Sequence, residues 1–192
     1  LVGEALSRTV EVGSNVIIGW DNRPRNSELV ESLTVGLHLG GCKVIHGGIC
    51  ATPGLHNAIL ETGSALGCMV TASHNPVSDS GIKVFDSTGF KTYPELELEV
   101  SELITQLAAE EREVDLSDLI PLRMPDSVFD ADSAHQNLLQ IRMAEFSEMF
   151  AIPVQMKILV DSSKGAASEW LVGLLNELGI EAKEVSRQAN AL

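Results

Sequence analysis

Short β-rich runs alternating with amphipathic stretches leave this chain few folds to choose from. Asn15–Trp20 (NVIIGW) is closed by the turn cluster Asp21-Asn22-Arg23-Pro24. Leu29, Val30, Leu33 and Leu37 then recur at helical spacing, and Gly40-Gly41 stops that helix. CKVIHG reads as a second strand, ended by Gly47-Gly48. Thr52 suits an N-cap and Pro53 the first helical position of a helix reaching about Glu61, with Gly63 near its end. LGCMVTA is a third strand and GIKVFD a fourth. Only a loop of about seven residues joins those two, too short for a parallel crossover, so they pair antiparallel. From Pro94 a long helix carries Leu96, Val100, Leu103, Ile104 and Leu107 along one stripe.

This alternation predicts an α/β fold, a three-layer α/β/α domain with a mixed, mostly parallel sheet. Residues 1–112 form that domain. Residues 113–153 read as an acidic, proline-punctuated connection to residue 133 followed by a helix from Ser133 to Phe150. Residues 154–192 hold a strand (MKILVDSS), a helix from Gly165 to Leu178 with Ala167, Trp170, Leu171, Leu174 and Leu178 inward, and a strand (IEAKEV). They read as the start of a second similar domain, because two strands and a helix make a poor independent sheet. The chain also opens on Leu1, and the expectation is an incomplete portion of a longer protein.

Charge narrows the function. The 192 residues carry a formal charge of −14, which argues against nucleic acid. From Pro94 to Ser133 there are 12 acidic and 2 basic residues, a solvated face. Between Asp21 and Lys91 stand Arg23, Arg25, Lys43, Lys83 and Lys91, the half an anionic ligand prefers. No run suits a membrane span and no basic-then-apolar leader is present, so the expectation is a soluble, cytoplasmic protein. Cys42, Cys50 and Cys68 are too few and too scattered for a zinc site or disulfide framework, and read as buried free thiols. Aromatics are only 4%, so the core must be aliphatic.

Ligands of open α/β sheets gather outside the carboxyl ends of the strands. Three loops should converge there: Asp21 to Arg25, Gly47 to Thr52, and Thr71 to Ser80. Pro76 cannot continue a ladder and turns Asn75 from helical geometry, so Ser73, His74 and Asn75 are held at a loop tip. Lys83 lies two residues into the returning strand, roughly 7 Å along it, and could reach back toward the serine. A serine hydroxyl needs activation, a lysine can stabilise a transferring phosphoryl group or move protons, and Arg23 offers a planar fork to phosphate oxygens. The set suits phosphoryl chemistry better than acyl transfer, since the Gly-x-Ser-x-Gly elbow is absent. Plainer roles stand beside these: a turn at Ser73–Pro76, an Asp21–Arg23 ion pair, a solvent-exposed Lys83. Asp79 and Ser80 read as turn residues, and His38, His46, His56 and His135 as structural or surface groups.

Thr71-Ala72-Ser73-His74-Asn75-Pro76, followed by Gly81-Ile82-Lys83-Val84, resembles the active-serine loop of the α-D-phosphohexomutases (phosphomannomutase, phosphoglucomutase, phosphoglucosamine mutase). Gly19-x-Asp21-x-Arg23, the turn from Gly48 to Thr52-Pro53, and Lys157 to Asp161 with Gly165 agree in order. The resemblance implies a phosphoserine at Ser73 that exchanges its phosphoryl group with a hexose phosphate through a hexose bisphosphate. It implies Mg²⁺, with Ser73 a metal contact through its phosphate. Lys83 would be the general acid/base, His74 and Asn75 would orient the loop and the phosphate, and Arg23 would support the phosphoserine electrostatically. The Thr-Ala-Ser form leans toward phosphomannomutase/phosphoglucomutase.

The chain departs from the pattern in places. Ser80 stands where the family usually has Asn. The opening Gly-x-x-Gly-x-Arg-Gly turn, the metal loop Asp-Gly-Asp-x-Asp-Arg and the sugar-reading loops of later domains are not in these residues. These 192 residues alone are therefore expected to be inactive, and to self-associate through surface that partner domains would cover. The alternatives are a phosphoglucosamine mutase, or a non-catalytic sugar-phosphate-binding module.

Overall fold

The computed structural model describes residues 1–110, 117–149, 156–163 and 165–185. A five-stranded sheet holds the order β4-β3-β1-β2-β5, built from β1 (Asn15–Trp20), β2 (Lys43–Ile49), β3 (Leu66–Val70), β4 (Ile82–Asp86) and β5 (Ser127–Val128). All neighbours pair in parallel except β3 and β4, which run antiparallel with Val70 opposite Ile82 and Met69 opposite Lys83. On one face lie α1 (Val2–Ser7) and α2 (Asn26–Leu39), with α4 (Pro94–Ala109) against α1; on the other lie α3 (Thr52–Thr62) and α5 (Ala131–Met149). The layering is the three-layer α/β/α arrangement of the sequence reading.

Side-chain alternation on β1 explains the two layers. Val16 and Ile18 pack with Val30, Leu33 and Leu37 of α2, while Ile17 packs with Leu55, Ala58 and Ile59 of α3. Each such buried aliphatic side chain contributes about 1.5–3 kcal/mol relative to exposure. Phe85 is the one aromatic among the buried core residues described, so the core is aliphatic. Helix α1, which the sequence reading did not anticipate, meets α2 at backbone distance: a Cβ on Gly36 would lie 2.8 Å from the Glu4 nitrogen. The three cysteines are free and buried, and burial pushes the Cys50 and Cys68 thiols up to about 12.

Several boundaries differ from the sequence reading. Strand β2 runs through Gly47 and Gly48 to Ile49, because one extra residue is absorbed where the register shifts from Ile18–His46 to Gly19–Gly48, and Gly48 takes φ +75°. Ala51, extended at ψ 153°, is the N-cap of α3, and Thr52 is already helical. Gly63 closes that helix in the left-handed region, as its position suggested. The stripe of α4 is shallow: Leu107 alone is buried, and Leu96 and Val100 line a groove of about 690 Å³ with Ile82 and Val84 of β4.

The stretch read as a connection contributes β5 and the start of α5. Asp126 sets this pairing, since its carboxylate accepts Val44 N–H at 2.6 Å and faces His38 Nε2 at 3.0 Å. The second, two-stranded parallel sheet is β6 (Lys157–Val160) with β7 (Glu181–Glu184). Its helix α6 is only Leu171–Glu177, because residues 165–170 close in three-residue turns such as Ser168 N–H to Gly165 O. Trp170 Nε1 donates to Asp132 of α5 at 3.1 Å. Among the described residues, no helix is long and apolar enough to cross a membrane. The expected Phe150 end of that helix and the expected boundary between residues 153 and 154 lie outside the described residues.

Candidate functional site

The parallel strands β1 and β3 end side by side, and the loops that follow them interlock. Asp21 N–H donates to Val70 O, and Thr71 N–H donates to Gly81 O, which closes the neck of the 71–81 loop. Within the loop Asn75 N–H reaches Ala72 O and Asp79 N–H reaches Pro76 O. Ser73 sits at the exposed tip with φ +57°, a left-handed conformation rare for a non-glycine residue. Such backbone costs of order 1–2 kcal/mol and persists only where the surroundings impose it.

The surroundings here are the β1–α2 loop. Arg23 reaches across from it and spends all its donors. Nε donates to Asp21 Oδ2 at 3.2 Å, Nη1 to Pro76 O and Asp79 O at 2.5 and 3.1 Å, and Nη2 to Ser73 O and Asn75 O at 2.7 and 2.9 Å. A guanidinium has five N–H groups in a fixed fork, and all five are used. Arg23 therefore shapes the loop and has no donor left over for another group. The ion pair with Asp21 is also present, so the two roles weighed for Arg23 coexist.

Asp21 is equally occupied. Oδ1 accepts Arg23 N–H and Asn26 Nδ2–H at 3.2 and 2.6 Å; Oδ2 accepts Arg23 Nε–H and Thr71 Oγ1–H at 3.2 and 2.6 Å. Thr71 Oγ1 in turn accepts Ser73 N–H at 2.9 Å. Sequence reading placed Asp21 in a turn cluster but missed Thr71 as a relay and Asn26 altogether. Asn26 is fully buried at the start of α2, and a polar residue there carries no signal beyond that of a helix start.

The structure brings Arg23, Ser73, His74 and Asn75 together. Ser73 Oγ lies 3.2 Å from His74 Nδ1. Asn75 contributes its carbonyl to Arg23. The first half of the expected Gly47–Thr52 loop is strand β2, and Cys50 N–H beyond it donates to Trp20 O at the end of β1. Lys83 lies on the edge strand β4 opposite Met69, half-buried in the groove beside Phe85 and Lys91, and its side chain makes no hydrogen bond or ion pair to any described residue. The remaining histidines are structural: His38 and His46 bridge elements, His56 Nδ1 holds the carbonyl of Gly89 at 2.7 Å, and His135 is buried against Trp170.

For a divalent cation the donor set is thin. Among the described residues no three His, Cys, Asp or Glu groups cluster, and Asp21 is fully engaged. A phosphoryl group on Ser73 would be the one ligand this site offers. The exposed Ser73 hydroxyl lies on a loop that carries the positive charge of Arg23 on its own carbonyls, which suits an anionic group.

Residues 1–111 match the family model described as phosphoglucomutase/phosphomannomutase, alpha/beta/alpha domain I. A phosphoglucosamine mutase from Prochlorococcus marinus (strain MIT 9215) is 31% identical over 194 aligned residues, covering 100% of this chain and 40% of that protein. One from Synechococcus sp. (strain CC9311) is 45% identical over 94 residues, 49% of this chain and 21% of the relative. A phosphoglucomutase/phosphomannomutase family protein from Burkholderia thailandensis, solved by X-ray crystallography, shares the fold at a TM-score of 0.67 and 22% identity, over 96% of this chain and 38% of its own. The chain thus spans at most about two fifths of these proteins.

Proposed function

The chain belongs to the phosphoglucomutase/phosphomannomutase family, and from that premise we propose that its full-length protein moves a phosphoryl group between C1 and C6 of a hexose phosphate. Ser73 is the relay. As phosphoserine it gives its phosphoryl group to a free sugar hydroxyl: the P–O bond to Ser73 breaks, a P–O bond to the sugar forms, and the serine oxygen recovers a proton. The hexose bisphosphate turns over in the site and returns its other phosphate to Ser73. Mg²⁺ bound at the phosphoserine would neutralise charge on the transferring group. Lys83 holds or accepts the proton at Nζ, His74 orients the Ser73 hydroxyl, Asn75 steadies the phosphate, and Arg23 supports it by charge.

One observation carries this reading: a serine held at φ +57° at an exposed loop tip, with the guanidinium of Arg23 fixing the loop on four carbonyls. Such local strain belongs to sites where placement of one group matters. The relatives of higher identity are named phosphoglucosamine mutases, which supports glucosamine phosphate as the first substrate. Glucose and mannose phosphates are the second reading, supported by the name of the structural neighbour. The 192 residues alone, without a triple-aspartate loop, would bind without turnover and self-associate. Three buried thiols fit a reducing cytoplasm.

The test uses the full-length protein with glucosamine, glucose and mannose 1-phosphates, with and without Mg²⁺. Interconversion with phosphorus on Ser73 by mass spectrometry, lost in Ser73→Ala, is the expected result. Undiminished turnover in Ser73→Ala overturns it. Binding without turnover and without need for Mg²⁺ supports a sugar-phosphate-binding module instead.

A further inference from the structure

We infer that Asn26 is a positioning residue for the Ser73 loop and works as one unit with Ser80, its amide and the Ser80 hydroxyl filling a single slot between α2 and the end of the loop. This inference rests on the phosphoserine reading above. Asn26 is 0% exposed, and its side chain touches three separate pieces of backbone architecture. Nδ2 donates to Val70 O at 3.0 Å, the last residue of β3, and to Asp21 Oδ1 at 2.6 Å, with Asp21 O at 3.3 Å sharing one hydrogen. Oδ1 accepts the hydroxyl of Ser80 at 2.6 Å.

The geometry divides the labour on the loop. Arg23 fixes its middle through the carbonyls of residues 73, 75, 76 and 79. Asn26 fixes both ends: Val70 where the chain leaves β3, and Ser80 just before it closes on Gly81. With the ends held, the tip residue has no slack to relax out of φ +57°. A buried amide with a lost partner costs the desolvation of the orphaned group, so the contact with Ser80 is needed by Asn26 as much as by the loop. A long side chain at 26 and a short one at 80 fill the slot. Exchanging them conserves volume and polarity, which single changes do not.

The test is the exchange itself in the full-length protein: Asn26→Ser, Ser80→Asn, and both together. Each single change is expected to lower kcat about tenfold with the KM for hexose phosphate nearly unchanged, because a displaced Ser73 loses reactivity rather than sugar contacts. Ser73 phosphorylation by hexose bisphosphate slows in proportion. The double variant returns to within about threefold of the unmodified protein, as coupled neighbours are non-additive. Wild-type kcat in either single variant, or a double variant no faster than the worse single one, overturns the inference. If Asn26→Ser fails to fold, Ser80→Ala keeps Asn26 and removes only its partner; a wild-type rate there overturns it equally. An unmodified protein without turnover and without phosphate on Ser73 sinks the functional reading instead. The pairing is then read from amide hydrogen exchange over residues 71–81, which must quicken in both single variants and recover in the exchange, or the inference fails.

Discussion

Thr71 hands the backbone of Ser73 to the carboxylate of Asp21: its hydroxyl donates to Asp21 Oδ2 at 2.6 Å and accepts Ser73 N–H at 2.9 Å. Two strand ends and the serine therefore share one three-member chain. Replacing Thr71 by Val keeps the shape and removes the link. Both the carboxylate and the Ser73 amide lose a part-buried partner, which costs about 0.5–1.5 kcal/mol per bond. Urea unfolding should show that loss, with slower Ser73 phosphorylation. Unchanged stability and rate in Thr71→Val would remove the relay from the account.

Arg23→Lys preserves charge and discards geometry. A single ammonium has three donors and cannot address Asp21 and four carbonyls at once. The expected outcome is faster amide exchange over residues 72–80 and a turnover rate down about a hundredfold, the scale of a reactive group misplaced by about 1 Å. If charge alone were needed, the lysine variant would match the unmodified protein.

Ser73→Gly separates strain from chemistry. Glycine adopts φ +57° freely, so the variant should be more stable by about 1 kcal/mol, while Ser73→Ala keeps the strain. Under the proposed function both are expected to lose the phosphoryl acceptor and with it all turnover. Thermal melts of the two variants side by side check the ordering; Ala equal to Gly would mean the tip backbone relaxes without its hydroxyl.

Stability should also fall with acid in a defined window. Burial pulls the ionisation of His135 below its ordinary value, with Asp132 opposing, and burial does the same to His46. Among the described residues the buried His135 Nδ1 has no partner. A histidine depressed in the folded state binds more protons when unfolded, so stability is full above about pH 6.5 and declines below it. His135→Phe keeps the edge-on contact with Trp170 and removes the titrating group. Its melting temperature should drop less between about pH 7.5 and 5.5 than that of the unmodified protein. An identical slope would assign the acid sensitivity elsewhere, with His46 the next candidate.

How far the letters carry depends on how much each element owes to its own residues. Strands β1 to β3 and helices α2 and α3 declare themselves because apolar residues supply most of their buried positions, and β4 because a short loop returns it beside β3. Strand β5 is Ser127-Val128, both exposed, and exists because Asp126 accepts an N–H from Val44; no alternation could announce it. The run from Gly165 has helical composition, yet its first turn closes on i+3 bonds and only Leu171 onward is α-helix. The site divides the same way. Ser73, His74 and Asn75 are legible as a loop tip because Pro76 and the strand end enforce it. Arg23 is legible as a cation, but its five targets are carbonyls and a carboxylate whose directions depend on an irregular backbone. Asn26 is invisible because its burial comes from the folded-back loop.

The saturated guanidinium of Arg23 has a thermodynamic corollary. A loop that had to gather itself around each arriving sugar phosphate would lose conformational entropy at every encounter, of order 1 kcal/mol for each backbone residue ordered. Here that ordering belongs to folding, so under the proposed function affinity for an incoming sugar phosphate would not be diluted by it, and the serine would meet each one in the same pose.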